Sequence, residues 1–251
     1  MKLQDRFALV TGASRGIGRA VARALAAEGA RVALHYSSNK SALEEVLLSL
    51  PGSGHIPVRA DLGNPDDVPK VAERVGASFG RLDILVNNAG IYDMHPPLTT
   101  EPAEWLERWN RTIAVNLTGA AHLSQLAARM MASTGGRIIN ISSRGAFRGE
   151  PDAPAYGASK AGMNALSQSM AKALAPNGIL VFAVAPGWVD TDMAAPHLAS
   201  PEGPLIAAQS PLNRVAAPEE IASIVLWLAA EAPAYMTGAI IDANGASYLR
   251  T

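Results

Sequence analysis

The sequence contains no cysteine. Disulfide frameworks, thiolate metal sites, iron–sulfur clusters and cysteine nucleophiles are therefore excluded. Charge of one sign is also lacking: 21 Lys and Arg against 22 Asp and Glu give a formal net charge of −1. Nucleic-acid binding rests on a basic surface that neutralises phosphates, so it is not expected here. No run approaches the roughly 18 uninterrupted apolar residues that suggest a membrane span, and no membrane association is expected. The opening stretch MKLQDRFALVTGAS carries Asp5 and Arg6 and no long apolar core, so it does not read as a signal peptide. A cytoplasmic protein is expected. Charged residues are 17% and hydrophobic residues 49% of the 251, which excludes disorder as the main state.

What the sequence does contain is alternation. Short apolar runs lie at Phe7 to Val10, Val32 to Tyr36, His55 to Arg59, Ile84 to Val86, Arg137 to Ile141, Ile179 to Val184 and Ala239 to Ile241. Between them lie helical stretches: Arg19 to Glu28, Ser41 to Leu50, Pro65 to Phe79, Ala155 to Ala175 and Pro218 to Ala230. A long one runs from about Pro102 to Met131 and is expected to bend near Gly119. Strands separated by helices of this length imply right-handed β-α-β units. The expected fold is a Rossmann-like, doubly wound parallel sheet of about seven strands with helices on both faces, in one domain over residues 1–251. Residues 186–217 hold five prolines and little periodicity, which suits a lid over a site.

Thr11 to Gly18, TGASRGIG, joins the first strand to the first helix. Gly12, Gly16 and Gly18 suit a tight turn, close approach of a pyrophosphate and close helix packing, because glycine has no Cβ. The helix N-terminus that follows offers free N–H groups to phosphate. Read alone, the pattern also fits a strand-to-helix turn with no ligand. Tyr156 and Lys160 are four residues apart at the start of a helix, so both lie on one face. A free tyrosine has a pKa near 10, and a neighbouring ammonium favours its phenolate. Such a tyrosine can act as general acid in carbonyl reduction and general base in alcohol oxidation. No carboxylate and histidine cluster calls for a metal.

Further motifs stand in order along the chain. They are Asp61, NNAG at Asn87 to Gly90, Asn116 inside VNLTG, Ser142-Ser143, YGASK at Tyr156 to Lys160, and PGWVDT at Pro186 to Thr191. With TGASRGIG they resemble the short-chain dehydrogenase/reductase family over essentially the whole chain. The resemblance implies a nicotinamide dinucleotide. Gly12, Ser14, Arg15, Gly16, Ile17 and Gly18 would line the pyrophosphate and adenosine ribose, and Asp61 and Leu62 the adenine. Asn87, Ala89 and Gly90 would follow the second ribose; Val189 and Thr191, after Pro186-Gly187, would hold the carboxamide. Lys160 would also hold the nicotinamide ribose. Family spacing selects Ser143 over Ser142 as the serine that hydrogen-bonds the substrate oxygen. Asn116 would be a fourth catalytic residue, bending the helix and holding a water.

Charge indicates which nicotinamide. An acid at the end of the second strand binds a free 2′-hydroxyl and repels a 2′-phosphate. Here that strand ends His35-Tyr36-Ser37-Ser38-Asn39-Lys40, with no acid, and Arg15 stands in the glycine-rich turn. NADP(H) is expected to be preferred over NAD(H), with Arg15 as a phosphate clamp. In the alternative, Arg15 is a solvated residue and Lys40 or Ser37 carries the phosphate.

The substrate pocket is expected from Ile91 to His95, Arg144 to Glu150, Trp188 and the segment from Met193 to about Leu212. Tyr92, Trp188 and Arg144 are the named contacts; Arg144 could face an anionic substrate or simply solvent. The motifs are similar to those of 3-oxoacyl carrier-protein reductases, which dock an acidic carrier through basic residues near the ends of two helices. Here AARMMASTGG has only Arg129 and ALAPNG has no basic residue, so a small ketone or aldehyde is favoured. Carrier-protein reduction is the alternative, and a non-catalytic dinucleotide-binding regulator is the alternative of another class. Leu180 and Phe182 stand where the family often has a basic residue and an Asn. The resemblance also implies a homotetramer.

Overall fold

The computed structural model describes residues 1–250. Seven parallel strands form one sheet: β1 (Phe7–Val10), β2 (Arg31–Tyr36), β3 (Ile56–Arg59), β4 (Ile84–Asn87), β5 (Gly136–Ile141), β6 (Ile179–Pro186) and β7 (Ile240–Ala243). Their spatial order is β3-β2-β1-β4-β5-β6-β7. The order reverses between β1 and β4, where Ala8 pairs with Ile84 and Val10 with Val86. A crevice outside the strand ends at such a point is where ligands bind in open α/β sheets.

The strands bury both faces, which is why they read as continuous apolar runs. Ala8 and Val10 join one core with Val32, Leu34, Ile84, Val86, Ile139, Phe182 and Val184. Leu9, Ala33, Leu85, Ile138 and Val181 point the other way into a second core. The first core is closed by α1 (Gly16–Ala27), α2 (Lys40–Ser49) and α10 (Pro218–Ala230). The second is closed by α3 (Val68–Phe79), α5 (Ala120–Met131) and α7 (Pro154–Leu174). Phe182 is fully buried in the first core, so the Asn that the family often carries there is replaced by an apolar core residue.

The long helical stretch expected to bend near Gly119 is continuous. It runs as α4 (Pro102–Ile113), a widened π segment (Ala114–Gly119) and α5. A Cβ on Gly119 would come within 2.2 Å of the Leu62 carbonyl oxygen, so glycine lets this helix lie against the turn after β3. Pro65, Asp66 and Asp67, read as helix from sequence, lie in a turn before α3. Two short helices stand in the proline-rich segment read as a loop, α8 (Ala195–Leu198) and α9 (Gly203–Ala208); α6 (Gly145–Arg148) follows β5. No helix among the described residues is long and apolar enough to cross a membrane.

Candidate active site

The strand ends at the β1/β4 reversal open into a cleft of about 590 Å³. Its floor is the glycine-rich turn. Gly12 has φ +65°, a conformation costly for other residues. A Cβ on Gly18 would meet the Gly12 carbonyl oxygen at 2.2 Å. Gly18 therefore serves helix packing and does not border the cleft, whereas Gly12, Ser14, Arg15, Gly16 and Ile17 do. The turn is tied to β4: the Thr11 hydroxyl oxygen accepts the Asn88 and Ala89 N–H groups, both at 2.9 Å. Asn88 Nδ2 donates back to the Thr11 carbonyl at 2.9 Å. The free N-terminus of α1 faces the cleft, an arrangement that fits a pyrophosphate.

His35 supports the turn from below, a role the sequence reading missed. Its Nδ1 accepts the Gly12 N–H at 3.2 Å, and its Nε2 lies 3.1 Å from the Ala60 carbonyl. This pairing assigns the neutral tautomer with the proton on Nε2. Burial lowers its pKa to about 4, so the ring stays uncharged near neutrality.

Ser37, Asp61 and Leu62 border the expected adenosine end. Asp61 accepts Arg111 Nη1 at 2.9 Å and the Gly63 N–H at 2.9 Å. Burial pushes this carboxyl up, but those two donors outweigh it and hold it below its ordinary value. Arg111 also borders the cleft and was not singled out from sequence. Arg15 is largely exposed, its Nε 4.0 Å from Asp192.

Asn87 departs from the expectation. Its side chain points away from the cleft, and Nδ2 donates to Ser124 Oγ and Asn140 Oδ1, both at 2.8 Å. It braces strands beneath the helices rather than lining a ribose. Ala89 and Gly90 do border the cleft, as do Pro186, Gly187, Val189 and Thr191.

Ser143, Tyr156 and Lys160 all border the cleft. Ser143, just after β5, stands close enough to the Tyr156 phenol to act on its acidity and accepts the Gly145 N–H at 3.0 Å. Lys160 Nζ lies 5.7 Å from the Tyr156 ring centre and donates to the Ile141 carbonyl at 2.7 Å. Ser142 is buried and bonds the Lys160 carbonyl, as expected of an inward-packed residue. The phenol is not brought toward neutrality by Lys160: burial pushes its pKa up to about 12, Glu150 and Tyr92 add to this, and the nearby Ser143 hydroxyl opposes it. Burial lowers Lys160 to about 8. Asn116 lies in the π segment, fully buried and off the cleft lining. Its Oδ1 accepts the Ile91 N–H at 2.8 Å and its Nδ2 donates to the Ile91 carbonyl at 2.9 Å, clamping the irregular segment that leads to Tyr92.

Aromatic residues wall the substrate side. Tyr92 packs edge-on against Tyr156 at 5.0 Å. His197 of α8 lies 5.8 Å from Tyr92 and 5.5 Å from Trp188. Arg144 corrects the sequence reading. It borders the cleft but is only 3% exposed, and its guanidinium is taken up by Ser247 Oγ and Gln209 Oε1 rather than turned to solvent. Glu150, beside Gly145, borders the same space.

A family model described as enoyl-(acyl carrier protein) reductase matches residues 12–245. A Mycobacterium marinum structure described as a short-chain type dehydrogenase/reductase superposes with a TM-score of 0.89 at 34% identity, covering 99% of this chain and 97% of that one. The chain belongs to the short-chain dehydrogenase/reductase family. Among curated relatives, cis-4-hydroxycyclohexanecarboxylate dehydrogenase of Sinomonas cyclohexanicum is 38% identical over 96% of both chains. The 3-oxoacyl-[acyl-carrier-protein] reductase of Escherichia coli is 38% identical over 99% of this chain and 100% of the relative. The angucycline C-6 ketoreductase LanV, solved with bound NADP, has a TM-score of 0.88 and 38% identity, covering 97% of this chain and 96% of LanV. This family member is an oxidoreductase that uses a nicotinamide cofactor.

Proposed function

We propose that the chain is an NADP(H)-preferring reductase of small ketones, with Tyr156 as general acid. The observation that carries this reading is the meeting of Ser143, Tyr156 and Lys160 beside the glycine-rich turn in one cleft. When bound, the nicotinamide supplies the hydride. Gly12 to Ile17 would hold its pyrophosphate, with Ala89, Gly90 and the segment Pro186 to Thr191 along the remainder. Ser143 and Tyr156 hold the substrate oxygen; Tyr156 delivers its proton as negative charge develops there, and the Lys160 ammonium stabilises the phenolate that remains. Asn116 positions Ile91 and so the Tyr92 wall. The aromatic wall of Tyr92, Trp188 and His197 suits an apolar, ring-bearing ketone. Resemblance to relatives named for a hydroxycyclohexane carboxylate and an angucycline supports that substrate class.

The test is NADPH and NADH oxidation against cyclic ketones, acyclic ketones, aldehydes, quinones and an acetoacetyl thioester. NADPH-dependent turnover of cyclic ketones supports the reading. A thioester preference replaces it with the carrier-protein reaction, and cofactor binding without any turnover favours the regulator. A homotetramer in the cytoplasm, built from one domain spanning 1–251, completes the proposal; light scattering of the purified chain tests the assembly.

Arg15 carries the cofactor preference, because a 2′-phosphate would find that cation and no carboxylate at the end of β2. Arg15→Ala should weaken NADPH binding roughly tenfold, about 1.4 kcal/mol, and leave NADH within about twofold. Fluorescence titration of both cofactors checks this; equal losses would remove Arg15 from the account.

Reduction should also depend on Lys160. Its pKa of about 8 lies below the unperturbed value, so its charge is present below pH 8 and lost as pH rises through it. kcat/KM for ketone reduction should fall above about pH 8, and Lys160→Met should be slow with that limb absent. A limb that persists in Lys160→Met would belong to another group.

A further inference from the structure

The segment between β6 and α10, expected from sequence as a lid, walls one side of the cleft through Trp188, Met193 and His197. Its two ends meet where Val189 bridges Ala216 and the Ala216 N–H donates to the Trp188 carbonyl at 2.9 Å. Beyond that pair, the lid does not rest on a solid core. Behind it lies a second cavity of about 140 Å³, lined in part by Arg144, Trp188, Ser210, Leu212, Asn244 and Ser247. Arg144 and Trp188 form the wall shared with the main cleft. Position there depends on polar ties across an incompletely filled space.

Arg144 supplies the tie that reaches furthest. Its backbone is fixed by its N–H, which donates to the Pro186 carbonyl at 2.9 Å. Its Nη1 donates to Ser247 Oγ at 2.6 Å, in the segment after β7, and its Nη2 to Gln209 Oε1, just after α9. A second tie runs parallel: Ser210 Oγ donates to the Gly245 carbonyl at 2.6 Å and accepts the Leu212 N–H at 3.2 Å. Among the described residues, no carboxylate oxygen lies within ion-pair distance of Arg144, whose partners are both neutral. A buried guanidinium without a counter-ion is a poor source of stability, since an apolar residue of similar size there is often neutral or better. A rigid fork reaching two segments at once gives it geometric value instead.

We propose that Arg144 is a positioning residue that anchors the substrate lid, tying its hinge at Gln209 and the tail at Ser247 to the residue that follows Ser143. The inference rests on the reductase reading above for its kinetic consequence. The hinge position sets how α8 presents His197 to Tyr92 and Trp188, and so how tightly the ketone is enclosed. Ser143 itself is held independently of that guanidinium, by the Gly145 N–H and by its neighbour Ser142, whose N–H donates to the Val184 carbonyl at 2.7 Å. Loss of the anchor therefore acts on substrate capture more than on the proton-transfer step.

The experiment compares the parent, Arg144→Met, Gln209→Met and the double variant in the full chain. In Arg144→Met, KM for the ketone should rise roughly tenfold with kcat within about threefold. NADPH affinity should stay within about twofold, and Tm within about 4 °C of the parent. Gln209→Met, at an exposed position, should raise KM in the same direction, and the double variant should not exceed Arg144→Met, because both remove one coupling. Hydrogen exchange, read without any substrate, should show faster exchange of the 203–212 amides in both single variants. Unchanged lid exchange with unchanged KM overturns the proposal, as does a doubled variant whose effects simply add. If Arg144→Met fails to fold, Gln209→Met alone decides by the same two readouts. If the parent turns over no ketone, the reductase reading fails, while lid exchange still judges the anchor.

Discussion

Tyr156→Phe should reduce ketone turnover by roughly 10²- to 10⁴-fold, the usual worth of a positioned general acid, and leave NADPH binding within about twofold. The substitution removes one oxygen and little else. The ring remains to pack edge-on against Tyr92 at 5.0 Å and beneath Lys160 at 5.7 Å. The fold should therefore stay intact, and the loss should fall on the proton. The Ser143 hydroxyl would still meet the substrate oxygen, but the O–H that delivers the proton would be gone. Tyr92 is unsuited to replace it, because Lys160 lies over the Tyr156 ring, where it can stabilise the phenolate left behind, and Tyr92 meets that ring only edge-on. Steady-state kinetics with a saturating ketone, beside a cofactor titration, measures both quantities. Retention of more than about a tenth of the parent rate would show that Tyr156 is not the proton donor.

Phe182→Ala should destabilise the protein by about 3–5 kcal/mol, the range for removing a large ring from a packed core. Phe182 is fully buried on β6 among Val184, Ile139 and the α10 residues Val225 and Leu228. The site itself lies beyond the carboxyl ends of the strands, so kcat at low temperature should change little. Phe182→Asn, which places at this position the residue the family often carries, should cost more than alanine. A buried amide there would have no polar partner among these apolar neighbours. Urea unfolding followed by circular dichroism reads both values, with an unchanged slope expected. A loss under about 1 kcal/mol for Phe182→Ala would mean that the core around β6 refills the space, contrary to the tight packing described here.

The sheet was legible in the sequence because its strands bury both faces and its helices present one apolar side. Phe7–Val10 matched to the residue. β6 ran two residues further than expected, because Ala185 and Pro186 still pair with β7 and apolar runs do not mark where pairing ends. The π segment was legible only as an expected bend, near Gly119 and at Asn116. Alanine, valine and leucine at 114–117 suit an α-helix equally well, and the bonds from Asn116 to the Ile91 backbone join it to a distant segment that no local pattern shows.

The same limit explains the site. Gly12 and Gly16, Ser143, Tyr156 and Lys160 border the cleft because their motifs are local: a turn, a strand end and one helical face. Asn87 was misplaced because it stands next to cleft residues in sequence but points elsewhere, and the bonds that occupy the Arg144 guanidinium were not legible although Arg144 borders the cleft. Alternation along β4 sends Asn87 under the sheet to Ser124 and Asn140, and the partners of Arg144 lie at residues 209 and 247. His35 was passed over because its partners, Gly12 and Ala60, come together only when β2 lies between β1 and β3.

The most direct test of the central reading is isotope transfer. The parent enzyme would be given NADPH carrying deuterium on either face of nicotinamide C4, together with a cyclic ketone, and the alcohol product examined by mass spectrometry and NMR. Hydride delivery to a carbonyl held by Ser143 and Tyr156 predicts one deuterium on the carbinol carbon from one of the two labelled faces, absent with Tyr156→Phe. NADPH oxidation that leaves the carbinol carbon unlabelled, or label delivered only to a carbon–carbon double bond of an unsaturated thioester, would contradict it.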